Sequence, residues 1–293
     1  MKKPLFALAA AALLAGSTLA QENESSPHGF SFSERLQGSA NSLGLVNKLD
    51  STLAYAFNSH FTVDGGVPLY FVRPSSSTIA ATGVGSSNGI GNVYLQARFS
   101  LVNPILNYSS TVTGTAPTGD KAAGLSTGHA TADWTNYFDR SFSHWTPFFD
   151  IGLANSVSDT MYFVRPYTSY GPIAHLEGGV RYKFARLFSL GGSAYSIDPW
   201  SQQTVISRLI KAQGQPPAGA SSGKNNGVFQ NAHATTGSSG IAADHGISTW
   251  LLFEPARSFN LYAGFTRSTE YSLNTVFFGV GLSLGRGSQP LGN

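Results

Sequence analysis

The chain has 293 residues, of which only 11% are charged, while glycine (33 residues) and aromatic residues (12%) are abundant and cysteine is missing. Without cysteine there is no disulfide framework, no thiolate chemistry, no cysteine metal site and no lipoprotein anchor. A net charge of +3 with no basic stripe gives no footing to nucleic acid. Soluble domains carry about 25% charged residues. A charge content this low, with no apolar run long enough for a membrane helix, is the compositional mark of an outer-membrane β-barrel.

Met1-Lys2-Lys3, an apolar run from Leu5 to Leu14 and the small residues that follow read as a secretory signal peptide, residues 1–20, cleaved after Ala20. Its removal takes two lysines and no acids, so the net charge falls from +3 to +1. Residues 21–29 are polar, contain Pro27 and are expected as a periplasmic tail. From Phe30 to Gly285 about twelve strand-like segments follow, an even number as single-chain bacterial barrels require. The segment 30–38 carries the weakest pattern. In 48–57, Leu49, Leu53, Tyr55 and Phe57 (with Ser51) share one face, and Lys48, Asp50, Thr52 and Ala54 the other. In 61–72, Phe61, Val63, Val67, Leu69 and Phe71 point outward and Asp64 inward. In 92–101, Val93, Leu95, Ala97, Phe99 and Leu101 alternate with Asn92, Tyr94, Gln96, Arg98 and Ser100. This is the period of a strand with one apolar face, and here that face is assigned to lipid. Asn103-Pro104-Ile105-Leu106 is a turn, because proline fixes φ and donates no hydrogen bond. A Thr/Ser/Tyr-rich strand then stops at Pro117-Thr118-Gly119-Asp120. Further strands are expected over 132–142, 147–156, 173–184, 187–196, 246–253, 259–266 and 275–284.

Connection lengths alternate. Those at 58–60, 103–106, 143–147, 185–186 and 254–258 are tight, whereas 74–88, 119–130, 157–171 and 198–244 are long. Short periplasmic turns against long extracellular loops are the asymmetry of an outer-membrane barrel. The fold class is therefore all-β, a single transmembrane antiparallel barrel of about twelve strands. In the longest loop, Gln202 to Ala212 suits a short amphipathic helix, with Val205, Leu209 and Ala212 on one side. Gly214 to Gly240 has too little apolar surface to order itself. Loop 198–244 either hangs outside or plugs the lumen. Residues 286–293 form a C-terminal tail.

The stretch from Gly-Ile-Gly-Asn-Val-Tyr-Leu-Gln-Ala-Arg-Phe at 89–99 to Ala-Pro-Thr-Gly-Asp at 116–120 resembles the outer-membrane family named for the meta-pathway of phenol degradation. Residues 55–68 and 244–285 are similar to it too. The resemblance implies a barrel related to channels for hydrophobic compounds and brings no catalytic residues with it. One departure is the end of the chain: barrels of this kind close on an aromatic residue, whereas the apolar pattern here stops at Leu284 and the sequence runs on to Asn293.

The faces opposite the apolar ones collect ionisable residues: Lys48, Asp50, Asp64, Arg98, Asp133, Asp139, Asp150, His175, Glu177, Arg181 and Lys183. A charge at the bilayer midplane costs about 2–4 kcal/mol, so these residues are assigned to the lumen. They form either a selectivity ladder or interior salt bridges that fill a small barrel. A second feature is an echo, Tyr70-Phe71-Val72-Arg73-Pro74 and Tyr162-Phe163-Val164-Arg165-Pro166. It reads either as an aromatic girdle with interfacial arginines or as paired walls of an extracellular vestibule. In the second reading Tyr70, Phe71, Tyr162, Phe163, Tyr167 and Tyr170 stack solutes, and Arg73 and Arg165 meet an anionic group. No metal ligand set, cofactor site or positioned nucleophile and base is found, although His129 and His144 lie near serines and aspartates. The functional expectation is a channel for small hydrophobic or aromatic compounds, with outer-membrane lipid and a small solute as partners. The alternatives are a non-conducting scaffolding barrel and, third, an outer-membrane hydrolase. Protease added to intact cells should cut within 198–244 and spare the turn at 103–106. Cleavage at both with the membrane intact would overturn the topology.

Overall fold

Alternation along each strand becomes a closed wall because the first and last strands pair. The computed structural model describes residues 28–83, 85–209 and 234–285. The expected signal peptide, almost all of the expected 21–29 tail, the expected 286–293 tail and residues 210–233 of the longest loop fall outside the described residues. Twelve strands run up and down: β1 (Gly29–Asn41), β2 (Gly44–Ala56), β3 (Phe61–Pro74), β5 (Tyr94–Leu101), β6 (Asn107–Thr115), β7 (Thr131–Asp139), β8 (Trp145–Ala154), β10 (Ile173–Ala185), β11 (Phe188–Pro199), β14 (Asp244–Ala256), β15 (Phe259–Ser268) and β16 (Leu273–Gly285). Each pairs antiparallel with its neighbours, and β1 pairs with β16 from Ser31 opposite Gly285 to Ala40 opposite Val276. Four short strands lie at the long-loop end. β4 (Ser87–Ile90) extends the wall against β3, while β9 (Tyr167–Tyr170), β12 (Gln203–Ser207) and β13 (Ala234–Gly237) form a separate sheet. Helix α1 (Ser76–Thr82) is capped by Ser75, whose side chain accepts from the Thr78 amide, and ends at Gly83 in the left-handed region.

The weakest expected strand, around 30–38, is in fact full length. Gly29 to Asn41 pairs on both sides, so hydrogen bonding supplies what the pattern lacks. The outer surface is apolar. Phe30, Leu53, Leu95, Val112, Ile151, Leu190, Ile247 and Val276 are all exposed, a patch far beyond what a soluble monomer carries and one suited to lipid. Glu34 on β1 is an exception on this face. Its carboxylate accepts from Ser51 Oγ at 2.8 Å, so a polar position in the apolar pattern of β2 meets it.

The alternation of loop lengths is looser than the sequence suggests. Connections at 57–60, 102–106, 140–144, 186–187 and 257–258 are short, and all lie at one end with both barrel termini. At the other end four connections are long, but 42–43 and 269–272 are also short. Around 203–207 the expected helix is instead strand β12. The β-branched run Thr204-Val205-Ile206 favours an extended chain, and both faces of it are covered. Part of the stretch expected to stay without order, 234–241, is β13 followed by a 3₁₀ turn at Ser239–Ile241.

Several inward glycines of the wall face large rings on neighbouring strands. A Cβ on Gly66 would overlap Tyr94, on Gly191 Trp250, on Gly264 Phe277 and on Gly279 Tyr262. The rings thus lie flat along the wall instead of crossing the lumen, which leaves room inside. Replacing Gly191 by valine should cost about 1–3 kcal/mol through overpacking. This would appear as a lower temperature for the heat-induced gel shift, while Gly114→Ala, whose added carbon meets no atom within 4 Å, should leave it unchanged.

Candidate functional site

The long-loop end of the barrel is filled from within. After β8 the chain turns down into the lumen, and its tip is pinned to the β1 and β15 side of the wall. Gln37 Nε2 donates to Met161 O at 2.6 Å, the Val164 amide donates to Ser39 Oγ at 2.8 Å, and Tyr262 donates to Met161 O at 3.3 Å. Tyr162 and Phe163 join Trp250, Leu252, Tyr262 and Phe277 in an interior cluster. Higher up, Val157 and Tyr167 pack with Ile173, Ile197, Val205, Ala242, Tyr271 and Leu273, binding this loop to the 200–243 segment. A third cluster joins Val164 and Leu209 to Val46, Tyr70, Val72, Ala123 and Leu125. The described part of the longest loop thus belongs to a plug, shared with 155–172.

Two buried charge centres lock this plug. Asp159 is the first. Its Oδ1 accepts from Arg208 Nη1 at 2.7 Å and the Arg165 amide at 3.0 Å, and its Oδ2 accepts from Tyr70 at 2.7 Å, with Lys48 Nζ at 3.6 Å. Arg208 also donates to Arg165 O at 2.5 Å and lies over the Tyr70 ring. The second centre is Asp244, which pairs with Arg165 Nη1 at 2.9 Å and accepts from Ser268, Tyr195 and Tyr167. Burial would push the Asp159 carboxyl up, but Arg208 and Lys48 outweigh it and hold the group at about 2.

What the plug leaves is a cavity of about 580 Å³ along the wall of β5 to β10, reaching from Asn92 and Thr115 at the long-loop end down past Arg98, Tyr137 and Arg181. Most of the residues that line it are polar, with threonines 111, 113, 115, 131 and 135 on the wall, although the surface they present is in larger part apolar. Within it His175 stands between two carboxylates, Nε2 at 3.4 Å from Asp133 and Nδ1 at 3.8 Å from Asp150. The hydroxyl nearest His175 is Thr135, at 3.4 Å, and it donates to Asp133 at 2.6 Å.

Of the lumen residues read from the sequence, Lys48, Asp50, Arg98, Asp133, Asp150, His175, Glu177 and Arg181 line this cavity. Asp64 and Asp139 are buried on inward faces outside it, and Lys183 stands exposed at the short-turn rim. Interior salt bridges are present among them, and Lys48 to Asp50 at 3.4 Å is one. The echo does not form two matching walls. In the first copy Tyr70 is buried inside, whereas Phe71 and Arg73 face outward, because alternation on β3 separates them. In the second copy Phe163 and Arg165 are buried in the plug. Arg165 is paired to Asp244 and lies over Phe163 and Tyr195, although with Tyr70 and Tyr162 it still touches the cavity described above. Tyr167 is buried likewise, and Tyr170 stacks on His129 at 4.4 Å. Sequence reading missed Asp159, Arg208 and Asp244. Inward parity on β14 marked Asp244, but nothing local linked it to Arg165.

The pins give two expectations. Asp244→Asn leaves Arg165 buried without a counter-charge and should destabilise the plug by about 3–5 kcal/mol, seen as protease cleavage within 155–172. A carboxyl held low contributes stability that is complete above its free value of 3.8 and lost as pH falls through about 2. Pepsin should therefore spare 155–172 at pH 4 and cut it near pH 2, and Asp159→Asn should remove that difference.

No family model matches the chain, and no curated protein matches it. Among solved structures it is similar to an outer membrane channel from Pseudomonas putida F1, with 12% identity, 92% of this chain and 99% of that one covered, and a TM-score of 0.55. It is also similar to the NanC porin, with 7% identity, 86% and 100% coverage and a TM-score of 0.50. At such identities the likeness carries the architecture: a closed antiparallel barrel of twelve strands, of the outer-membrane type.

Proposed function

We propose that this chain is an outer-membrane channel through which small polar and aromatic solutes pass along the lane beside the plug. One observation carries the reading: the inserted loop is fastened to the wall at β1 and β15, and an open cavity remains beside it, most of whose wall residues lie on β5 to β10. An inserted loop fixed to one wall narrows a pore and sets what enters. The likeness to an outer membrane channel and a porin supports both location and transport. So does the resemblance of residues 89–120 to the family named for phenol degradation, which implies a barrel related to channels for hydrophobic compounds. The threonine-rich and charged lining shifts the expected solute from hydrocarbons toward polar and ionisable ones. The reading is non-enzymatic.

A scaffolding barrel is the second reading, favoured by the buried ion pairs that hold the plug shut against the wall. Recording in planar bilayers separates the two. A channel should show small, steady single-channel steps in KCl, and deletion of 158–166 should enlarge them severalfold. Silence from both forms, each correctly folded by heat-induced gel shift, would remove the channel reading in favour of the scaffold.

A further inference from the structure

The plug and the wall together build a surface that neither makes alone. Tyr137 on β7 stacks with Phe148 on β8 at 6.0 Å and 20°, Phe148 lies 6.2 Å from Trp250 on β14, and Trp250 stacks with Tyr162 of the plug at 4.6 Å and 27°. All four rings line the cavity, so they form a continuous aromatic strip along the lane. The indole N–H of Trp250 is buried with no hydrogen-bond partner, a donor left over within the strip.

The charges around this strip are unevenly matched. The acids of the cavity are engaged. Asp133 and Asp150 hold His175, Asp159 holds Arg208 and Lys48, Asp50 takes Lys48 and the Tyr94 hydroxyl, and Glu177 accepts from Ser193 Oγ at 2.5 Å. Arg35 and Arg98 line the same cavity and have no carboxylate within 4.0 Å among the described residues. Among the described residues Arg98 donates to the Gln96 amide oxygen, at 3.2 Å, and its charge is also felt by Asp64, which lies beyond ion-pair distance. Asp50, the residue across from Arg35 on β2, is already committed to Lys48. Guanidinium groups with unused donors beside stacked rings fit one class of small molecule: a planar ring that stacks and a carboxylate that takes a forked pair of hydrogen bonds.

We propose that the lane holds a binding site for aromatic carboxylates, with the ring against Phe148 and Tyr162 and the carboxylate toward Arg35 and Arg98. The proposal rests on the channel reading for the route by which the solute arrives, but binding itself does not require conduction. The lane is then selective by two features at once. A neutral ring loses the guanidinium contacts, and an aliphatic acid loses the stacking surface.

Benzoate is the probe, with acetate and benzyl alcohol as the single-feature controls. Benzoate should reduce KCl current through the purified protein and quench its tryptophan emission at concentrations well below those of either control. The double variant Arg35→Gln with Arg98→Gln should need about a hundredfold more benzoate in both measurements, each of the two lost charged contacts being worth about tenfold. Its response to benzyl alcohol should not change. Trp250→Phe should abolish most of the emission change while keeping the current block. Acetate acting as strongly as benzoate, or a folded double variant that binds benzoate unchanged, would overturn the proposal. Should the double variant lose its heat-induced gel shift, Arg98→Lys serves instead, expected to weaken benzoate binding while keeping the fold, and unchanged binding there counts against the site. If no form passes current, the channel reading fails by itself and the emission titration still decides the site.

Discussion

Everything in this molecule depends on the seam between β1 and β16. In hydrocarbon there is no water to satisfy an open strand edge, so a sheet spans a membrane only when its last strand returns to its first. Here the seam runs from Ser31 opposite Gly285 to Ala40 opposite Val276, and with it every wall strand has two neighbours. Closure also sorts the side chains. Alternate residues of each strand face outward and are apolar. The rest face a small interior where threonines, tyrosines and paired charges fill the space.

Inside that wall the plug is held by charge as well as by packing. Buried ion pairs seldom add much stability over well-packed apolar residues, because desolvation offsets the attraction. What they add is specificity. Asp159 accepts from a side chain on β3, a side chain after β12 and a backbone amide of its own loop, so only one docking of the two loops satisfies it. The apolar clusters around Val157 and Val164 would tolerate a small slide; the carboxylate would not. The glycines that receive rings from adjacent strands serve the same arrangement, since rings laid flat on the wall leave the plug its space.

The wall was legible in the sequence because its rule is local. Period-two alternation in 92–101 or 48–57 states both strand and face without reference to the rest of the chain. Even the serine at position 51, out of place on an apolar face, pointed to a polar neighbour, which is Glu34. The plug was not legible, because its contacts join distant residues. Arg208 meets Asp159 across 49 positions and Arg165 meets Asp244 across 79. The repeated Tyr-Phe-Val-Arg-Pro motif misled for the same reason. One copy is a strand whose alternation sends Arg73 outward, and the other is an inserted loop whose arginine is drawn into an ion pair. Short sequence echoes fix side-chain chemistry, not the direction in which a side chain points. Strand β12 was missed because Val205, Leu209 and Ala212 have helical spacing, while the β-branched run between Gln203 and Ser207 is covered on both faces.

The seam has a consequence for how the protein is made. Its two halves come from the earliest and the latest parts of the barrel sequence, so a chain whose last strand has not yet formed has two bare edges and no way to hide them. Local hairpins such as β1 with β2 form early, but the last pairing waits for Gly285, and the ion pairs of the plug have to be enclosed by the time it shuts. Pairing over such separations is slow and leaves edges open to aggregation meanwhile. A wall built this way becomes complete all at once, when its last strand meets its first.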